Sequence, residues 1–80
     1  MEDQEAMKKR IEKDIRMFYE NLSKVSALGN DKRMMKVVEL AKMYASDSKS
    51  YLDKGDLYTS FSCISYAHGL LDSIIHLNSK

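Results

Sequence analysis

His68 and Asp72 stand four residues apart, so on a helix they share one face. A histidine held by a carboxylate can act as a general base, and with a second carboxylate the pair can hold a divalent metal. Asp47 supplies that second carboxylate if the chain doubles back at Gly55. The same side chains have a plainer use. His68 falls within the apolar stripe marked by Leu57, Phe61 and Ile75. A histidine there is a packed, hydrogen-bonded ring, with Asp72 and Asp47 accepting from it or from a tyrosine hydroxyl. Elsewhere the residue types argue against catalysis: there is no nucleophile elbow, no glycine-rich phosphate loop and no His-Glu-x-x-His helix. One class of helical-bundle nucleases needs an arginine five residues before its histidine, and here Cys63 precedes His68 and Leu71 precedes His76. No catalytic residue and no cofactor is therefore expected, and a metal at His68, Asp72 and Asp47 is the minor reading.

A second pattern carries recognition rather than reaction. Ser62, Ser65, Gly69 and Ser73 recur at helical spacing, flanked by Tyr58, Tyr66 and His76. Such a line has little side-chain bulk, and its aromatic edges would frame another helix lying close. A glycine inside an exposed helix costs about 1 kcal/mol relative to alanine, so a packing reason is worth seeking. Either the first helix of the same domain fills this groove, or a partner protein or a second copy of the chain does. The interaction residues expected on this basis are Tyr58, Ser62, Ser65, Tyr66, Gly69 and Ser73.

The elements that position these groups follow from composition. Eighty residues with no proline and three glycines favour one domain of long helices. The lone Cys63 forms no internal disulfide and no zinc-finger spacing exists, which fits a reducing, cytoplasmic setting. The opening MEDQEAMKKR lacks the apolar core of a leader, and no apolar run nears the length that crosses a bilayer. Thirteen basic against twelve acidic residues leave a net charge of +1, without the clustered basic excess that nucleic acid or an anionic membrane requires. Neither is expected as a partner.

Helix 1 is expected over about 4–27, with Met7, Ile11, Ile15, Phe18, Leu22 and Val25 at steps of four and three, a narrow seam close to that of a coiled coil. Glu5 and Lys9, Glu12 and Arg16, and Glu20 and Lys24 are favourably ordered i,i+4 pairs. Gly29 then breaks the helix, and Asn30 or Asp31 can cap the next. Lys32, Arg33 and Lys36 follow in its first turns, against the helix dipole. Helix 2 is expected over about 32–54, with Ala41, Ala45 and Ser48 forming a small-residue groove. Gly55 ends it and Asp56 caps helix 3, expected over about 57–77. Counting outward from Gly55 sets Tyr51 near Thr59, Asp47 near Cys63 and Tyr44 near Tyr66. The fold class is all-α, a three-helix up-and-down antiparallel bundle.

Tyr44, Asp47, Tyr51, Leu52, the turn Lys54-Gly55-Asp56 and the run Ser65-Tyr66-Ala67-His68-Gly69-Leu70-Leu71-Asp72 resemble the signature of the archaeal domain-of-unknown-function family 357. The resemblance covers roughly the second half of the chain. It implies a small helical bundle in an archaeal cytoplasm and implies no activity. The expected function is a non-catalytic protein-interaction or self-association module. The alternative is a small-ligand or metal-binding accessory domain that uses a His/Asp/Tyr cluster between helices 2 and 3.

Overall fold

The computed structural model describes residues 2–29 and 31–78. With no proline to interrupt them, three helices form: α1 (Glu2–Ser26), α2 (Lys32–Asp53) and α3 (Leu57–Asn78). They run up, down and up in a rod of 44 × 19 × 15 Å.

Both breaks occur at glycines with positive φ, Gly29 (119°) and Gly55 (85°), a region where only glycine avoids a Cβ clash. Before Gly29, the Leu28 amide donates to the Val25 carbonyl at 2.9 Å and tightens the end of α1. Asp31 then caps α2, its carboxylate accepting from the amides of Arg33 (2.8 Å) and Met34 (3.3 Å). The alternative cap, Asn30, lies outside the described residues.

The α2–α3 turn is a Schellman motif. The Gly55 amide donates to the Leu52 carbonyl (3.0 Å) and the Asp56 amide to the Tyr51 carbonyl (2.9 Å), satisfying carbonyls that would otherwise end α2 unpaired. The Asp56 carboxylate accepts from the Thr59 amide at 3.2 Å, and its carbonyl accepts from the Ser60 amide at 3.0 Å. One residue thus closes α2 and opens α3.

The hairpin partners meet through small side chains. Ala41, Ala45 and Ser48 of α2 are fully buried, as are Ser60, Ile64 and Ala67 of α3. α1 lies mainly along α3 and touches α2 sparsely. It contributes Ile11, Phe18 and Val25, one buried residue per seven, with Ile15 and Leu22 half-buried between them. Three expectations change. Met7, at the start of the α1 seam, is 41% exposed. Among the described residues the i,i+4 pairs of α1 do not close, whereas Lys42 and Glu39 of α2 do at 3.6 Å. In α3 the deepest line is Ser60, Ile64, Ala67, Leu71 and Ile74, beside the stripe of Leu57, Phe61 and Ile75 that the sequence suggests. With α2 on one side and α1 on the other, the residues at the centre of that arc are the ones sealed from water.

Candidate functional site

His68 is half-buried and turned toward α1. Its Nε2 lies 2.7 Å from the Asp14 carbonyl oxygen, and its ring meets Phe18 edge-on with centroids 5.9 Å apart. A carbonyl can only accept, so Nε2 carries the proton and donates. The ring therefore ties α3 to α1, and its partner is main chain rather than a carboxylate. Asp72 and Asp47 are both exposed. Asp47 lies on the other flank of α3, close enough to Cys63 to raise its pKa.

The cluster expected between helices 2 and 3 is thus divided between two faces. Successive residues on a helix turn by about 100°, so His68 and Cys63, five residues apart, look in different directions. Among the described residues no group of three or more His, Cys, Asp and Glu side chains could hold a metal ion. Burial first, and then the carboxylates of Asp47 and Asp56, push the Cys63 thiol above its ordinary pKa. It stays protonated near neutrality, where a thiol is a weak nucleophile.

The counted hairpin register agrees with the side-chain contacts. Tyr44 and Tyr66 meet edge-on at 4.7 Å. Sequence reading did not single out Ser60. Its hydroxyl donates to the Ser48 carbonyl at 2.7 Å, and the Ser48 hydroxyl donates to the Ser60 carbonyl at 2.7 Å. Both residues are fully buried. A short hydroxyl reaches a carbonyl on a neighbouring helix only where the backbones nearly touch, so this pair measures the closeness of the hairpin. Its signal was available, since Ser60 continues the four-and-three spacing of Ile64, Ala67 and Leu71 toward the turn.

The residues expected to interact lie together on the outer side of α3. Tyr58 (82% exposed), Ser62, Ser65, Tyr66 (51%), Gly69 and Ser73 all face solvent. α1 does not fill this line, because a Cβ built on Gly69 would meet no atom within 4 Å. Ser62 and Ser73 turn their hydroxyls back to the carbonyls of Tyr58 (3.1 Å) and Leu70 (2.8 Å). The surface is smoother and less polar than its serines suggest.

A cavity of about 650 Å³ lies between α1 and α2. Lys8, Glu12, Arg16, Lys49 and Asp53 stand around a floor of Ile15 and Leu52. Charges of both signs ring it, and no single ligand charge is selected.

The geometry defines a three-helix bundle with the small-residue face of α3 open to solvent, and no described helix is long and apolar enough to cross a membrane. Residues 13–79 match the family described as a protein of unknown function, DUF357, and the chain belongs to that family. No curated protein matches it.

Proposed function

We propose that this domain is a non-catalytic protein-interaction module that receives another helix on the outer face of α3. The observation that carries the reading is the open line through Ser62, Ser65, Gly69 and Ser73, bounded by Tyr58 and Tyr66. An added helix can approach closely where side chains are small, and the tyrosines supply apolar area with a polar tip. A lone cysteine, which forms no internal disulfide, suits the reducing cytoplasm of this reading, and the archaeal setting implied by the family resemblance belongs to it as well.

The test uses two substitutions at one exposed position. Gly69→Ala removes a flexible residue from a helix interior without a steric cost and is expected to raise stability by about 0.5–1 kcal/mol in thermal or urea melts. Gly69→Leu is expected to leave the circular dichroism spectrum and cooperative melt intact while abolishing association. Capture from native extract with wild-type and Gly69→Leu baits, quantified protein by protein, reads the second effect. Identical recovery from both baits, together with unchanged self-association, would rule out this face.

A further inference from the structure

We infer that the partner is a second copy of the chain, packed antiparallel against the side of the α2–α3 hairpin opposite α1. This rests on the interaction-module reading and adds the partner and the surface. That side carries a second apolar seam. On α2, Val37, Leu40 and Tyr44 are spaced three and four apart; on α3, Cys63, Tyr66 and Leu70 repeat the pattern. Tyr44 meets Tyr66 at 4.7 Å, so the two lines adjoin across the hairpin. α1 occupies the opposite flank, marked by its contacts with Phe61 and His68. Within the seam Leu40 is 38% and Tyr66 51% exposed, and Met43 beside them is 51% exposed. At its far end Val37, Ser73 and Leu77 border an open groove of about 390 Å³. Tyr66 and Ser73 also belong to the α3 face described above, so the two surfaces are continuous.

Charge selects the occupant and its direction. The end of the seam near the start of α2 carries exposed Arg33 and Lys36, where Asp31 is already engaged as a cap. The end near the turn carries exposed Asp47 and Asp56, where Lys54 lies over the Tyr51 ring at 5.4 Å. Burial raises the Cys63 pKa first, and the carboxylates of Asp47 and Asp56 raise it further, so both act on this residue of the seam. α2 is therefore charged against its own dipole, with no acidic residue in its first turn and no basic residue in its last. A two-fold axis between Leu40 and Tyr44 sets the basic end of each copy against the acidic end of the other. It also opposes the helix dipoles and closes two hairpins into a four-helix layer. A surface complementary to itself in charge fits a second copy.

Sedimentation equilibrium over a wide concentration range, at low and high salt, tests this on the full chain. The expected result is a monomer–dimer equilibrium that weakens with salt. Leu40→Glu should lower the association constant by at least roughly a hundredfold, since it sets a charge in the apolar centre. Lys36→Glu and Asp47→Lys should each lower it by roughly tenfold, and the Lys36→Glu/Asp47→Lys double variant should recover it. All three positions are exposed, so helical spectra should be unchanged. A monomer at every concentration overturns the inference, and so does a dimer indifferent to Leu40→Glu. Strengthening by Lys36→Glu alone overturns it too, because that outcome belongs to a parallel pair. A chain that stays monomeric yet retains Gly69-dependent capture of another protein rejects the second copy while sparing the module reading.

Discussion

Phe18→Ala should lower the thermal midpoint of the domain by about 15–30 °C, the largest loss expected from any single truncation in α1. Phe18 is fully buried, and its ring contacts Tyr19 edge-on at 5.2 Å and His68 at 5.9 Å. Removing a buried phenylalanine ring costs about 3–5 kcal/mol, the transfer term plus the void it leaves. A domain of this length has about 4–12 kcal/mol in total, and each kcal/mol moves the midpoint by about 4–8 °C. α1 has few other anchors, since among its described residues only Ile11 and Val25 are comparably sealed and its contact with α2 is sparse. The void would also remove the ring against which His68 packs and loosen its bond to Asp14. Circular dichroism melts read the effect. A separate early transition, in which about a third of the helical signal is lost while the rest melts unchanged, would show α1 to be an appendage and contradict the expectation.

Ala45→Leu should cost about 3 kcal/mol, the upper end for inserting bulk into a packed core. Ala45 is fully buried on the same face as Ala41 and Ser48. The reciprocal 2.7 Å bonds between Ser48 and Ser60 hold the two backbones together just beside it. A leucine there must push α3 away, and the separation that accommodates it breaks those bonds and strands two buried hydroxyls. Urea denaturation of Ala45→Leu, with Ala45→Ser as the volume-conserving control, measures this. A leucine variant within 0.5 kcal/mol or so of wild type would mean the hairpin is looser than its serine pair indicates.

How much of this was legible in the sequence depended on how local the cause was. Gly55 and Asp56 announced the hairpin because a positive φ and a cap are properties of one or two residues. The hairpin register followed by counting from the turn, and Tyr44 meets Tyr66 accordingly. The small face of α2 was visible for the same reason, as three short side chains on one helical line. The position of α1 around the hairpin was not. It is set by long-range packing, and the groups it brings to His68 are a ring and a main-chain carbonyl, neither visible in a pattern of polar side chains. The metal-like trio dissolved because two of its members belong to flanks that α1 and solvent separate. Ser60 was passed over because a serine in an apolar helix reads as a surface residue until its partner is known.

The single residue that both finishes α2 and begins α3 also bears on the order in which the molecule assembles. Ser48 and Ser60 are 12 residues apart, whereas His68 and Asp14 are 54 apart. Closing the longer span costs about 1.3 kcal/mol more in chain entropy. The hairpin should therefore form first and the amino-terminal helix join late, although it leaves the ribosome earliest. Stopped-flow kinetics would show this as slower refolding in Ser60→Ala and faster unfolding in Val25→Ala. Equal slowing of refolding by both would point instead to collapse of all three helices at once.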